Sequence, residues 1–433
     1  MAPTVPWPVL VTRLSRWALA GAGLLVALSR RTAGRALRRP PDAPGRSVVP
    51  TLVRLGPTFV KSGQLLSTRS DLLSPAFCAT LAQLTDRMAA MPAADVRRAL
   101  AAAYPDGRPW PFADFDYTPV ASGSIAGVYR ARLHDGRTVA VKVRRPGLDR
   151  QMSADFRLLG LLARLGERMP GLRGLPAQRM IDQVGPAVLN QLDLAREAVM
   201  LERLRRNLGA MVRIPATVPA AAGEGVLVME FLDGLERFGP ASFTRDQRST
   251  IVKQILRAVF QMLFIDGLVH CDMHPGNLYL RPSGEVVLLD AGFVVELSPK
   301  VRKLFAQFFL NLALGRPDEC VEIVLRSASA LPAGADLRGF RRDLARLVRE
   351  NHGKRAGQFR LGPFAARLFD LQRRSRISAD PEFVFPLLSL LVLEGMINDF
   401  DVQVDFQAQS IPALFEALRS EPPAEAEKET SWS

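Results

Sequence analysis

The sequence predicts an α+β protein of two lobes, a small sheet-bearing lobe followed by a helical one. Three observations carry this. Two β-branched, period-two stretches, 124–133 and 138–143, flank Asp135-Gly136, a hairpin turn dipeptide. An apolar run over 226–231 ends at Leu232-Asp233-Gly234, a strand followed by a hinge. Beyond it an amphipathic helix is expected over 247–267, and helical spacing resumes after Ser298.

The remaining elements follow in order. Residues 40–50 are rich in Pro and Arg and read as a linker. From Leu52 to about Leu100 apolar residues recur at helical spacing, as in Leu72, Leu73, Phe77, Leu81 and Leu84, and 105–119 breaks the pattern. Residues 153–208 are helical with a Gly/Pro interruption over 170–176. The apolar stretch 383–397 is interrupted by Pro386 and Glu394, so it reads as a core helix and not a membrane span. Residues 421–433 form a polar tail, expected to be disordered.

With 433 residues the chain can bury a large core, and its formal charge of +14 favours anionic partners. Nucleic acid is not expected, because the arginines are spread among helices without aromatic interleaving or a recognised module. Cys78, Cys271 and Cys320 lie far apart and form no CxxC pair, which indicates a reducing compartment. The first forty residues contain no acid, and the apolar run 17–28 is bracketed by Arg13, Arg16, Arg30, Arg31 and Arg35. That run is too short to cross a bilayer of ~30 Å, which needs about twenty residues. Arginines directly after it, with no small-residue cleavage site, argue against a signal peptide. A helix on an anionic membrane surface is expected, each Arg near headgroups contributing about 1 kcal/mol. A disordered leader or a helix docked on the protein are the alternatives. The expected location is cytoplasmic and peripheral to the membrane, with anionic lipids as partners.

The chemistry concentrates in one segment. His270-Cys271-Asp272-Met273-His274-Pro275-Gly276-Asn277 is followed, after a strand-like stretch, by Leu288-Leu289-Asp290-Ala291-Gly292. Phosphoryl transfer needs one carboxylate to orient a hydroxyl, then an amide and a second carboxylate to hold metal on the phosphates. Asp272, Asn277 and Asp290 have those identities in that order. Upstream, Val139-Ala140-Val141-Lys142 is an apolar strand displaying a lysine that can reach phosphates. One hairpin earlier lies the small-residue loop Ala121-Ser122-Gly123-Ser124-Ile125-Ala126-Gly127, through which backbone N–H groups can approach phosphates; a plain hairpin turn is the other reading. Glu197, on a helical stretch, is the candidate carboxylate partner of Lys142. His270 and His274 stand four apart, but Pro275 and Gly276 break any helix there and the Glu of HExxH is absent, which argues against zinc. His270 reads as a brace for the loop.

These segments together resemble a known family. Leu55-Gly56-Pro57-Thr58-Phe59-Val60-Lys61-Ser62-Gly63-Gln64, then Ser67-Thr68-Arg69 and Asp71-Leu72-Leu73, is similar to the KxGQ extension of the UbiB/AarF-type atypical kinases, whose eukaryotic relatives support coenzyme Q biosynthesis. Met229-Glu230-Phe231-Leu232-Asp233-Gly234, Val139 to Lys142 and His270 to Asn277 match in the same order. The resemblance implies a bilobal protein-kinase-like fold with an N-terminal helical KxGQ extension and a helical C-terminal region. The implied divisions are a basic leader over 1–48, the extension over 49–110, an N-lobe with inserted helices over 111–233, a C-lobe over 234–420 and a tail over 421–433.

It also implies ATP and Mg2+ as cofactors, with Lys142 and Glu197 as an ion pair and Asp272 at the catalytic-base position. Asn277 and Asp290 then bind magnesium, residues 121–126 lie on the phosphates, and Met229, Glu230 and Phe231 line the adenine hinge. Lys61 and Gln64, with Gln191 and Asp193 at the family's ExD element, form a gate. Membrane association, ATPase activity and isoprenoid-quinone metabolism are implied, with proteins of that biosynthesis and a second copy of the chain as further partners. Three departures stand out: Gly123 in the family's alanine run, Gln191 for the first acid of ExD, and Ala291 for the phenylalanine of DFG. Two other functions are consistent with these residues. One is a nucleotide-gated scaffold binding lipid or partner enzymes with little turnover, and the other is a small-molecule kinase related to aminoglycoside phosphotransferases, against which the KxGQ segment argues.

Overall fold

The computed structural model describes residues 7–18, 45–67, 75–81, 83–84, 88–167, 177–237, 239–240, 243–273, 276–330, 336–354, 359–379, 381–400 and 405–419. The expected tail over 421–433, the family residues Thr68 to Leu73, His274 and the Gly/Pro interruption over 170–176 lie outside them, as does most of the apolar run 17–28. The chain divides into two compact units. The first comprises Met1–Glu202, Pro215–Leu232 and Ala291–Phe293; the second comprises Arg203–Ile214, Asp233–Asp290 and Val294–Ser433. One division therefore falls between Leu232 and Asp233, within the hinge tripeptide. Residues 203–214, placed by the sequence reading in the N-lobe, group instead with the second unit.

The first unit begins with helix α1 over 7–18, then α2 (Gly45–Leu55), α3 (Pro57–Ser67), α4 (Pro75–Leu81) and α5 (Ala93–Ala103). The expected linker over 40–50 is thus helical from Gly45, with Pro50 inside α2. Gly56, at φ 106°, separates α2 from α3, and Pro57 starts the new helix without needing an amide donor. The sheet follows: β1 (Phe112–Ser122), β2 (Ala126–Leu133) and β3 (Thr138–Arg144), then α6 (Leu148–Glu167), α7 (Ala177–Asn190) and α8 (Leu194–Leu208), and finally β4 (Val226–Glu230). The order is β1-β2-β3-β4, antiparallel throughout. Tyr129, Ala131, Leu133, Val139, Val141 and Val143 face one core with Val96, Leu100 and Ala103 of α5. Alternation in β2 and β3 made those strands legible.

Strand β1 corrects the reading of 105–119 as a simple break. It is an edge strand, with register shifts on both sides of Pro119, so a residue without an N–H is tolerated there. Phe112, Phe115 and Tyr117 hold it by aromatic packing, with Phe115 5.6 Å from the Tyr129 ring. Helix α1 is docked on the unit through its inner face. Arg13, 3% exposed, pairs at 2.6 Å with Asp155 of α6, which is 0% exposed. Residues 7–18 are thus a helix docked by one face, with Trp7, Val11 and Leu14 exposed on the other.

The second unit contains β5 (Glu236–Arg237) and α9 (Arg245–Phe260), which is closed at its N-terminus by a Thr244/Gln247 capping box and passes into a π-helical turn, Gln261–Asp266. Next come β6 (Leu268–His270), β7 (Leu278–Leu280), β8 (Val286–Leu288) and β9 (Val294–Glu296). The strands form two small sheets, β5-β7-β8 and β6-β9, too short to show period-two patterning. Then follow α10 (Pro299–Ala313), α11 (Pro317–Arg326), β10 (Ala328–Ala330), α12 (Leu337–Asn351), α13 (Leu361–Arg374), β11 (Ser378–Ala379), α14 (Val384–Asp399) and α15 (Phe406–Arg419).

Glu394, the acid inside the apolar α14, has a structural use. Its two carboxylate oxygens accept the N–H groups of Leu361 and Gly362, each at 2.8 Å, and so cap α13 from a neighbouring helix. Among the described residues no helix is long and apolar enough to cross a membrane. Removing the cap with Glu394→Ala is expected to lower unfolding free energy by about 1–2 kcal/mol, measured by urea denaturation.

Candidate active site

In the first unit, Lys142 sits on β3 opposite Val128 of β2 and Leu227 of β4. Its Nζ lies 2.6 Å from Glu197 Oε1, with side-chain exposures of 13% and 1%. Glu197 occupies the first turn of α8, where the helix dipole favours an anion. The turn itself is capped by Asp193, whose Oδ1 accepts Arg196 N–H at 2.9 Å and whose carbonyl accepts Glu197 N–H at 3.0 Å. Asp193, expected in the gate, is thus an exposed helix cap that helps seat Glu197. Gln191 is buried, and its amide reaches back to Ala187 O at 3.5 Å.

The small-residue loop is the β1–β2 turn. Gly123 N–H closes it on Ala126 O at 2.9 Å, so that amide serves the turn and is not a phosphate donor. Ser124, Ile125 and Ala126 are buried, Ser122 and Gly123 half-buried and Ala121 exposed. Arg145, which the sequence reading missed, holds the loop from behind. Its Nε donates to Gly123 O at 3.0 Å and its Nη2 to Ser122 Oγ at 3.0 Å and Ala89 O at 2.7 Å. Nothing local to Arg145 announces this, since the partners lie 22, 23 and 56 residues away.

At the hinge, Met229 pairs with Ala140 on one side and Thr217 on the other, and Glu230 exchanges backbone and side-chain bonds with Ala216. Phe231 lies under the Arg130 guanidinium at 5.1 Å. Lys61 is buried on α3, three residues after buried Thr58. The other motif residues of that helix are mechanical. A Cβ at Gly63 would run into Leu84 Cδ1, and Gln64 Nε2 donates to Leu84 O at 3.3 Å.

In the second unit, Gly267, at φ 66°, ends the π-helical turn and sends the chain into β6. His270 Nδ1 accepts the Asp272 N–H at 3.1 Å, so the proton is on Nε2, which donates to Asp290 O at 2.8 Å. One imidazole therefore links the two motif carboxylate residues through their main chains. Asn277 Nδ2 donates to Asp272 O at 2.8 Å, and Leu289 N–H donates to Asn277 O at 3.1 Å beside the β7–β8 pairing. The structure brings Asp272, Asn277 and Asp290 together through these bonds. Nδ2 is engaged in this bond, and an amide oxygen and a carboxylate are the kinds of hard donor that magnesium takes. Among the described residues no group of three or more His, Cys, Asp or Glu could hold a metal ion. Ala291 is buried, and buried Phe293 follows two places on.

The domain description "ABC1 atypical kinase-like domain" matches residues 83–324. The chain thus belongs to the ABC1 atypical kinase-like family, the UbiB/AarF group that its motifs resemble, and has that family's kinase-like α+β fold. Among its relatives, "Probable protein kinase UbiB" of Edwardsiella ictaluri is 30% identical over 400 residues, covering 87% of this chain and 74% of that protein. "Uncharacterized protein slr0889" of Synechocystis sp. is 28% identical, covering 76% and 83%. The structure of the Rv3197–erythromycin complex from Mycobacterium tuberculosis aligns with TM-score 0.54 and 20% identity over 90% of this chain and 97% of that one.

Cys271, inside the motif loop, is buried, and burial followed by the adjacent Asp272 charge pushes its thiol far up. It therefore carries no thiolate at neutral pH. In the native protein at pH 8 Cys271 is expected to alkylate at less than about a tenth of the rate of an exposed cysteine of ordinary pKa. Mass spectrometry after a timed iodoacetamide pulse checks this, with denatured protein as the fully labelled reference.

Proposed function

We propose that this protein is an ATP- and magnesium-dependent atypical kinase or ATPase acting at a membrane in isoprenoid-quinone or lipid metabolism. The observation that carries the reading is the buried Lys142–Glu197 pair, a lysine held at 2.6 Å by its helix carboxylate. In protein kinases a lysine–glutamate pair of this kind positions the lysine on the nucleotide phosphates, and a surface lysine would not be sequestered in this way. Lys142 binds phosphate oxygens, and residues 121–126 shape the space around them. Met229, Glu230 and Phe231 accommodate the base. Asn277 Oδ1 and the Asp290 carboxylate would hold magnesium, which supplies charge neutralisation on the phosphates when bound. Asp272 accepts the proton of the attacking hydroxyl, whether of an acceptor or of water. Lys61 gates the site, with Gln64 holding its helix.

Membrane action is supported by the acid-free first forty residues and by Trp7, Val11 and Leu14, which are exposed along one face of α1 while Arg13 is buried on the other. The proposed working location is the cytoplasmic side of a membrane, on anionic lipid. The scaffold reading is favoured by one feature, the buried neutral Gln191 in place of an acid.

Asp290→Ala is expected to abolish the magnesium-dependent part of nucleotide binding in calorimetry; full affinity without metal would refute the proposal. Asp272→Asn should lower turnover about 10²–10⁴-fold with nucleotide affinity retained. Absence of turnover in the wild type, with and without anionic liposomes, would favour the scaffold. His270→Ala, which removes both bracing bonds without touching a ligand oxygen, should weaken magnesium-dependent binding about 10–100-fold, read in the same titration.

A further inference from the structure

Asp155, fully buried on α6, gathers three segments of the first unit on one carboxylate. Arg13 Nε donates to Oδ1 at 2.6 Å and Arg13 Nη2 to Oδ2 at 2.7 Å. Trp17 Nε1 donates to Oδ1 at 3.2 Å, and Thr58 Oγ1 to Oδ2 at 2.6 Å. Arg13 Nη2 also reaches Leu55 O, the last residue of α2, at 2.7 Å. None of these residues has a part in the reaction proposed above. Yet the bonds end at the start of α3, the helix that carries Lys61.

Thr58 and Lys61 are three residues apart and both buried, so they share a helix face. The far end of α3 is fixed separately, by Gly63 and Gln64 on Leu84. Lys61 therefore sits between two clamps, and one of them runs through α1. Among the described residues the other side-chain hydrogen bonds of α1, from Thr12 and Ser15, return to its own backbone, and Trp7, Val11 and Leu14 are exposed. The Trp17 ring meets Phe59 of α3 edge-on at 5.2 Å, which joins the same two helices.

The charge makes the coupling obligatory. With α1 docked, the Asp155 carboxylate faces a guanidinium in a fork geometry. Without α1, the Thr58 hydroxyl cannot neutralise it, and a buried lone carboxylate must take up water or a proton. Water that enters where α1 has left competes with Thr58 for the Asp155 carboxylate, and so loosens its hold on α3. We propose that α1 is a latch on the gating helix: Arg13 and Trp17 hold Asp155, Asp155 holds Thr58, and undocking of α1 frees Lys61. The proposal rests on the reading of Lys61 as a gate.

The test combines hydrogen exchange of α3 with nucleotide turnover of the full chain. Arg13→Gln is expected to speed exchange of the α3 amides about tenfold, the weight of one charged hydrogen bond, and to raise turnover, with Arg13→Lys falling between it and the wild type. In a Lys61→Ala background, which should itself raise turnover, Arg13→Gln should still speed exchange but change turnover no further. Thr58→Val, which leaves the Arg13–Asp155 pair intact, should loosen α3 in the same way and decides the matter if Arg13→Gln does not fold. Unchanged α3 exchange in these variants overturns the latch. Faster exchange with an equal turnover gain in the Lys61→Ala background overturns transmission through Lys61. If Lys61→Ala alone leaves turnover unchanged, the gate reading fails, while exchange still judges the mechanical link.

Discussion

A carboxylate removed from water must find its counter-charge or its donors, and that requirement arranges the first unit. Glu197 and Asp155 are both buried, and each is matched by a cation from a distant part of the chain, Lys142 and Arg13. Leaving such a charge without its partner costs about 3–5 kcal/mol, a large fraction of a domain's stability. The first pair fixes α8 against the strand that carries the lysine. The second fixes α1 and α3 on α6. Neither pair is needed to stabilise the fold in a net sense, since apolar residues could fill the same space. What the pairs supply is position, one for a phosphate-binding lysine and the other for the helix of Lys61.

The second unit meets the same problem with neutral groups. The bonds that brace the motif loop end on main-chain atoms: Asp272 N and O, and Asp290 O. Carboxylate oxygens are not spent on holding the loop in these bonds. Glu394 shows the opposite use, a carboxylate whose two oxygens each accept a backbone amide while Oε1 also lies 3.5 Å from Arg360 Nε, and it lies in a helix of the C-terminal part with no candidate chemistry. The contrast is between an acid whose carboxylate caps a helix and two acids whose main chains brace a loop.

The parts of the fold with local periodicity were legible in the sequence: β2, β3, β4, α9 and α14 fall where alternation, apolar runs and helical spacing place them. Lys142 was legible from the apolar strand that displays it, whereas its pairing with Glu197 came from the family resemblance, since a helical Glu has no local signal of its own. Strand β1 was not, since Pro119 masks an edge strand whose pairing is irregular. Arg13, Asp155 and Arg145 were not, because a long-range polar contact leaves no local pattern. The cap formed by Asp193, by contrast, has a local signal. An Asp one residue before a helix is the ordinary signal of an N-cap, and the reading of it as a gate came from resemblance and not from its place in the chain.

The KxGQ element divides along the same line. Gly63 admits Leu84 and Gln64 bonds to its carbonyl, so these two residues seat the helix, while Lys61 alone brings a functional charge. Departures elsewhere can be sorted by which of these they touch. Gln191 is buried and neutral, so it removes a charge without disturbing the seat of α3. Gly123 loosens a turn that Arg145 ties down again from behind. Ala291 takes an aromatic ring out of the metal motif, and Phe293 is buried two residues later. The mechanical framework is therefore retained at each of the three departures: a charge is absent at Gln191, a ring at Ala291, and at Gly123 the added backbone freedom is met by Arg145.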